Sequence, residues 1–209
     1  MVIAPDLVTA LERALEGDGI ALPAGVHSAD AGLRLNEVTL VGLDPEETTI
    51  AVRTYAEDAP AGYHIMAESR VVLANLLINN ETGSTDACGV LVKGGLTMKR
   101  CQLTNFDVCV KISPGAMLDA TEDCVMRGSR AGVVVEDRGQ LSAEDLRLTD
   151  CSLVVKDPEG TGLHLKRVRS EVSIVVLKKE NEAVLKKAKI CDSEGFDESS
   201  VVTVDCYRA

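Results

Sequence analysis

Apolar residues recur with a nearly fixed spacing along most of the chain. The sixth positions of the repeating segments are Leu76, Cys101, Cys124, Leu146, Val168 and Ile190, with steps of 25, 23, 22, 22 and 22 residues. This period predicts stacked coils of about 22 residues, in which equivalent apolar side chains lie above one another. Apolar residues fill the first, third and sixth positions, and less regularly the eighth, in VVLANLLINN from Val71, LTMKRCQLTN from Leu96, LSAEDLRLTD from Leu141, LHLKRVRSEV from Leu163 and LKKAKICDSE from Leu185. The segment LDATEDCVMRG from Leu118 joins the series with one residue inserted before Cys124.

Each segment is followed by a turn and then by a second, β-branched run. The predicted turn residues are Asn80, Asn105, Gly128 and Asp150, of types that adopt left-handed backbone conformations at little cost. The runs are GVLV from Gly89, DVCV from Asp107, GVVV from Gly132, SLVV from Ser152, SIVV from Ser173 and SVVTV from Ser200. Val, Thr and Ser favour strand over helix in these runs, and the LxxLxLxxN spacing of leucine-rich repeats is missing. The pattern predicts an all-β fold, a single-stranded right-handed parallel β-helix.

The segment before the regular repeats is less uniform. VTLVG from Val38 is interpreted as an earlier coil, separated from the others by a long loop carrying Pro45 and Pro60.

The first part of the chain carries a family resemblance. The stretch GDGIALPAGVHSA, residues 17–29, resembles the segment that leads into the first coil of the pectate-lyase-like right-handed parallel β-helix superfamily. The preceding PDLVTALERALEG resembles that family's amphipathic cap helix, with Pro5 at its start, Gly17 at its end and one apolar face formed by Leu7, Leu11 and Leu15. The resemblance implies one domain over residues 1–209, with a cap helix in residues 1–17 and coils in residues 18–209.

Composition excludes several function classes. The 33 Asp and Glu outnumber the 22 Lys and Arg, giving a formal charge of −11. Nucleic acid and anionic membranes are therefore not expected as partners, because both need clustered cations. No secretory signal and no apolar stretch of about 20 residues is visible, so a soluble, cytoplasmic protein is expected. Only 2% of the residues are aromatic, which disfavours a sugar-stacking platform.

A charged ladder is predicted at the fourth and fifth positions of four successive coils. It consists of Lys99 and Arg100, Glu122 and Asp123, Glu144 and Asp145, and Lys166 and Arg167. One interpretation is functional: if the chain is an enzyme, the four acidic residues are its best candidates for acid/base catalysis or for Ca²⁺ binding. The other is structural, with two acidic coils neutralised by the basic coils on either side. The structural interpretation is favoured because the flanking cations would compete with a metal.

No other group of residues in the sequence predicts a catalytic or metal-binding site. The pectate lyase RxPxxR segment, the polygalacturonase GDD, GHG and RIK motifs and the pectin methylesterase QDT and GRPW stretches have no counterpart, and the basic pairs Arg127 with Arg130 and Arg167 with Arg169 lack the surrounding pattern. His27, His64 and His164 stand far apart in the repeat alignment, and no Ser or Cys nucleophile can be assigned a histidine partner. We therefore predict no catalytic residue, no metal and no cofactor.

The cysteines are expected to be reduced. All seven lack metal-binding spacing, which favours free thiols over a disulfide framework. Cys101 and Cys124 fall at the same inward position of adjacent coils, where either a disulfide or a stacked pair of buried thiols would fit. The buried pair is favoured.

Residues 177–189, LKKENEAVLKKAK, are interpreted as a charged loop rather than a short helix, because Leu185 and Ile190 keep the repeat register. The lysines of this loop could dock an acidic partner, although protection of a strand edge is favoured. They are Lys178, Lys179, Lys186, Lys187 and Lys189.

Two functions remain open. The first is a non-enzymatic scaffold for protein–protein interaction, resembling the β-helix domains of F-box proteins and of the Shc-binding-protein group, and belonging to a larger assembly. In that case the last coil is expected to contact a partner or a second copy of the chain. The alternative is a polysaccharide-active or carbohydrate-binding protein of the lyase or hydrolase type, using Glu122, Asp123, Glu144 and Asp145. The missing motifs, the free thiols and the scarce aromatic residues favour the scaffold.

Overall fold

The structure, a computed structural model, describes residues 2–3, 6–29, 32–52, 62–81, 86–156, 162–170, 174–177, 188–191 and 201–204. Its strands form three parallel sheets, A, B and C. Sheet A contains, in spatial order, β1 (Val2–Ile3), β2 (Gly19–Leu22), β5 (Thr39–Gly42), β8 (Val71–Ala74), β11 (Gly95–Lys99), β14 (Met117–Thr121), β17 (Gln140–Glu144), β20 (Gly162–Lys166) and β23 (Ala188–Cys191). Sheet B contains β3 (Gly25–Ala29), β6 (Thr48–Val52), β9 (Leu77–Asn79), β12 (Gln102–Thr104), β15 (Val125–Arg127), β18 (Arg147–Thr149) and β21 (Arg169–Ser170). Sheet C contains β4 (Leu33–Leu35), β7 (Tyr63–Ala67), β10 (Cys88–Val92), β13 (Val108–Ile112), β16 (Ala131–Val135), β19 (Ser152–Lys156), β22 (Ile174–Leu177) and β24 (Val201–Val204).

From β2 to β22 the chain passes from sheet A to sheet B to sheet C in each coil and then begins the next coil in sheet A. The strands β8, β9 and β10 form one such coil, and β11, β12 and β13 pair with them in parallel. This is the predicted all-β parallel β-helix, and the β-branched runs supply its sheet C. Among the described residues, no helix has the length and apolar character to cross a bilayer.

The inward positions predicted from the repeat are confirmed. The first-position residues pair in register across sheet A, Val71 with Leu96, Leu96 with Leu118, Leu118 with Leu141 and Leu141 with Leu163. The sixth-position residues Leu76, Cys101, Cys124, Leu146 and Val168 are each at most 1% exposed. They belong to one apolar cluster that runs along the interior of the solenoid.

Left-handed corners separate the sheets. Of the predicted turn residues, Asn105, Gly128 and Asp150 have φ of 64°, 63° and 53° between sheets B and C. Asn80 does not share this conformation, and its side-chain amide donates to the Asn105 carbonyl oxygen at 2.9 Å. A second corner was not predicted: the ten-residue segments bend at their fifth position, so each supplies one strand to sheet A and one to sheet B. The fifth-position residues with positive φ are Asn75, Arg100, Asp145 and Arg167, and both Glu122 and Asp123 adopt it in the coil with the insertion.

Two predictions about irregular segments are wrong. The long loop proposed after VTLVG carries a turn at residues 43–47 and then strands β6 and β7, while Pro60 lies outside the described residues. In the last coil, Ala188 pairs with Leu163 and Ile190 with Leu165, so Ile190 is not equivalent to Val168. Residues 178–187, including Leu185 and most of the predicted charged loop, lie outside the described residues.

The N-terminal cap is shorter than predicted. Helix α1 spans Leu7–Arg13, with the Asp6 side chain accepting a hydrogen bond from the Val8 amide at its start. Leu7 is buried against the interior, whereas Leu15 is 75% exposed and lies beyond the helix. Gly17 has φ of 86° but follows the helix end by several residues, and Pro5 lies outside the described residues. Strand β1, which was not predicted, pairs with β2 at the start of sheet A. The division into a cap of residues 1–17 and coils of residues 18–209 stays a prediction.

Candidate functional site

The charged ladder lies where sheet A turns into sheet B. Glu144 and Lys166 are register partners on β17 and β20, as predicted. Lys99 instead pairs with Thr121, since each is the fourth residue of its segment, and both Glu122 and Asp123 lie in the corner that follows.

The first acidic coil is bound by cations from the coils on both sides. Lys99 Nζ lies 3.1 Å from Glu122 Oε1, and Arg100 Nε lies 3.5 Å from Glu122 Oε2. Arg147 forms a bidentate ion pair with Asp123: its Nε lies 2.8 Å from Oδ1, and its Nη2 donates to Oδ2 at 3.0 Å. The pairing runs between coils, as expected for a cross-strand ladder.

The second acidic coil is bound by the basic coil that follows it. Arg167 donates to both Asp145 oxygens at 2.7 and 2.8 Å, and its Nη2 also donates to Glu144 Oε1 at 2.6 Å. Lys166 Nζ donates to the same Glu144 oxygen at 2.8 Å. Hydrogen bonds to Lys166 and Arg167 lower the pKa of Glu144, and the bonds to Arg167 lower the pKa of Asp145. The same bonds raise the pKa of Arg167.

These pKa directions limit the chemistry open to the ladder. A general acid that works near neutral pH needs a raised pKa, so Glu144 and Asp145 are poor proton donors. Among the described residues, no group of three or more His, Cys, Asp or Glu side chains is placed to hold a metal ion. A catalytic role for Glu122, Asp123, Glu144 and Asp145, if the chain is an enzyme, stays a prediction.

A cleft adjoins the ladder on the side of sheet B. It is about 210 Å³ in volume and is lined by Asp123, Asp145, Arg147, Arg167 and Arg169, and we call it the arginine cleft. Arg147 and Arg169 are register partners on β18 and β21. Sequence reasoning singled out Arg167 and Arg169 but missed Arg147. The repeat could have predicted this pairing, because Arg147 and Arg169 each directly follow a sixth-position residue.

The histidines do not come together, but one has a serine neighbour that the sequence reasoning missed. His64 is fully buried, and the His27 ring nitrogen lies 2.8 Å from the Pro23 carbonyl oxygen. His164 pairs in register with Ser142, which in turn pairs with Asp119. Register pairing alone does not make Ser142 a nucleophile with a histidine partner, so the expectation of no such pair stays a prediction. The equivalent second positions of adjacent coils carried this signal.

Five cysteines have described side chains, and they are buried free thiols: Cys88, Cys101, Cys109, Cys124 and Cys151. Cys101 Sγ donates to the Leu73 carbonyl oxygen and Cys124 Sγ to the Thr121 carbonyl oxygen, each at 3.3 Å. The stacked pair of buried thiols is therefore present, as favoured. Burial raises the thiol pKa to about 12 for Cys88, Cys101 and Cys109 and to about 11 for Cys124 and Cys151.

Comparisons with known proteins add little beyond the fold. The chain matches no protein-family model and no curated protein sequence. Among solved structures, it is similar to a crystal structure of a pectin methylesterase mutant in complex with a hexasaccharide, with a TM-score of 0.42 and 14% sequence identity. The match covers 91% of this chain and 62% of that one, so the chain spans less than two thirds of the other's length. A likeness of this size says nothing about activity.

Proposed function

We propose that this chain is a non-enzymatic β-helix scaffold that binds protein partners within a larger assembly. The observation that carries the proposal is the pairing of all four candidate carboxylates with Lys or Arg from the same or a neighbouring coil. A carboxylate held by cations in this way links neighbouring coils and is kept ionised by its partners.

The aromatic residues support the same proposal. Tyr63 and Phe106, the aromatic side chains among the described residues, are 4% and 3% exposed. The described surface therefore offers no phenyl or phenol ring on which a sugar could stack. A protein partner has no such requirement, because flat strand faces and polar side chains suffice for an interface.

The alternative, action on acidic polysaccharides, is tested by comparing the wild type with an Asp123→Asn/Glu144→Gln double variant. Both proteins are incubated with polygalacturonate and with methyl-esterified pectin, with and without Ca²⁺. Release of reducing ends, unsaturated uronates and methanol is measured. We expect no release above buffer for either protein. A wild-type activity that the double variant loses while its melting temperature is kept overturns the proposal.

Partner binding is tested by affinity purification from the native cell, followed by reconstitution from the two purified components. A complex of fixed stoichiometry in light scattering is the expected result. If no purified partner forms a complex with the chain again, the result counts against the scaffold proposal. Contact of the partner with the last coil and a cytoplasmic location are part of this proposal.

A further inference from the structure

The middle of sheet B has an outer face without acidic residues. The outward positions of β9, β12, β15 and β18 hold no Asp or Glu, on a chain with a formal charge of −11. They alternate with four buried residues, Ile78, Leu103, Met126 and Leu148. Sheet A, by contrast, carries Asp119 on β14 and Glu144 on β17 at outward positions. An anionic group on this part of sheet B therefore meets no carboxylate at the strand positions that face it.

Arg127, on β15, is exposed on this face and has no carboxylate within 4.0 Å among the described residues. Nearby arginines differ in this respect. Arg130 Nε lies 2.8 Å from Asp107 Oδ1, and Arg147 Nε lies 2.8 Å from Asp123 Oδ1. Within the described part of the chain, the charge of Arg127 is therefore not neutralised by an ion pair.

The side chain of Gln102 holds the guanidinium group of Arg127 in place. In the amide orientation that satisfies both side chains, the Gln102 oxygen accepts hydrogen bonds from Arg127 Nε at 3.1 Å and from Nη2 at 2.7 Å. A guanidinium has five N–H donors in a rigid fork, and these two bonds use the side that contains Nε. The N–H groups on the opposite edge, between Nη1 and Nη2, remain in position to bind a carboxylate through two parallel hydrogen bonds.

Apolar side chains lie beside the pair formed by Arg127 and Gln102. Leu77, Gln102 and Val125 are register partners on β9, β12 and β15, and both Leu77 and Val125 are partly exposed. Val125 and Arg127 are two positions apart on β15, so their side chains leave the sheet on the same side about 6.7 Å apart. We call Leu77, Gln102, Val125 and Arg127 the Arg127 patch.

We propose that the Arg127 patch binds an extended segment of the partner protein in which an apolar residue and an Asp or Glu are two positions apart, an inference that rests on the proposed scaffold function. In an extended segment lying along β15, alternate side chains point the same way with the spacing of Val125 and Arg127. The carboxylate then meets the open edge of Arg127, while the apolar side chain covers Val125. A polyuronate chain is less suited, because every sugar unit carries a carboxylate and Leu77 and Val125 offer no donor to a second one.

The test is a titration of ¹⁵N-labelled protein with the peptide Gly-Ser-Gly-Leu-Thr-Glu-Gly-Ser-Gly, followed by two-dimensional NMR, which detects the weak binding of a short peptide. We expect saturable shifts at the Val125 amide and at the Arg127 Nε–H group. Arg127→Gln should bind the peptide about tenfold more weakly than the wild type. The matched control, Arg70→Gln, removes the same charge from the turn between β7 and β8 and should stay within about twofold. Val125→Thr keeps the β-branched shape and should also weaken binding, and thermal unfolding checks that all three variants are folded.

Two control peptides test the charge and the spacing. One replaces Glu by Gln, and the other places Leu and Glu next to each other, so that their side chains point to opposite sides. Weaker binding of both control peptides supports the proposal. Absence of saturable shifts with the first peptide, equal weakening in both arginine variants, equal binding of a control peptide, or tighter binding of hexagalacturonate at the same residues overturns it. If the peptide fails while a reconstituted partner complex is recovered, the assignment of this face falls and the scaffold proposal stands.

Discussion

The imidazole ring of His64 stands edge-on to the phenyl ring of Phe106, with centroids 4.8 Å apart and an interplanar angle of 86°. Both side chains are buried in the interior of the solenoid. Burial lowers the pKa of His64 from 6.5 to about 4, although a hydrogen bond with the Asn79 backbone acts in the opposite direction. A neutral imidazole is therefore part of the folded core.

This burial predicts a loss of stability in mild acid. Between pH 6.5 and 4 the unfolded chain binds a proton at His64 that the folded chain excludes, so stability falls as pH falls through this window. From pH 7.5 to pH 5 the free energy of unfolding should drop by about 2 kcal/mol through His64. Urea unfolding at the two pH values measures it.

A His64→Leu variant supplies the control for this pH effect, since leucine keeps an apolar side chain and cannot titrate. Its free energy of unfolding should change much less between pH 7.5 and pH 5. The paired carboxylates also lose stability in acid, but mainly below their unfolded pKa values near 4.5 and 3.8. An unchanged pH dependence in the variant would contradict the assignment to His64.

Position within the coil should decide the effect of side-chain truncation. Leu146→Ala removes a fully buried sixth-position side chain and should lower the free energy of unfolding by about 2 to 5 kcal/mol. Lys99→Ala removes a half-exposed member of the charged ladder and should change it by less than about 0.5 kcal/mol. Chemical denaturation compares the two, and equal effects would mean that the assignment of inward and outward positions is wrong. Val168→Asp, another inward site, is expected to be at least as destabilising as Leu146→Ala.

The left-handed corner between sheets B and C should resist substitution. Gly128 has φ of 63°, and a Cβ there would lie 3.3 Å from Asn105 Oδ1. Gly128→Ala should therefore destabilise by about 1 to 2 kcal/mol. Gly95 in β11 offers the matched control, because a Cβ there meets nothing within 4 Å. Gly95→Ala should raise the melting temperature slightly. A drop as large as that of Gly128→Ala would contradict the assignment of the Gly128 effect to its left-handed backbone.

Burial should also protect the thiols. Cys88, Cys101, Cys109, Cys124 and Cys151 have raised pKa values, so at pH 7.5 almost none of each thiol is the reactive thiolate. We expect all five to resist iodoacetamide in the folded protein and to react fully in denaturant, as read by peptide mass spectrometry. Rapid labelling of Cys101 or Cys124 in native buffer would show that the interior opens.

The sequence repeat made the stacking of the coils and their inward-facing residues predictable. The sequence alone places Leu146 and Val168 inside the solenoid, because their 22-residue spacing is what stacked parallel coils require. The corner residues Asn105, Gly128 and Asp150 were also predictable from residue type. The bend at Arg100 and Arg167 was not, because arginine has no local preference for a left-handed conformation.

Inserted residues made the remaining strand pairings unpredictable from the repeat pattern. The extra residue before Cys124 places Asp123 in the corner beside Glu122, and in the last coil Ile190 pairs with Leu165 and is not equivalent to Val168. A repeat can be aligned through such a change in more than one way. Inter-strand hydrogen bonds choose one register, and a sequence pattern does not contain them.

The amino-acid sequence by itself determined the period of the coils and the apolar columns within them, because only residues that tolerate complete burial can recur at the stacked interior. The tertiary structure alone decided which outward side chains meet. The bond from Arg167 to Asp145, the stack of Arg147 on Arg169 and the neighbours Ser142 and His164 all depend on the register between coils and on the corner angle. Their pairing is therefore a property of the assembled solenoid, in which residues about 22 positions apart become nearest neighbours.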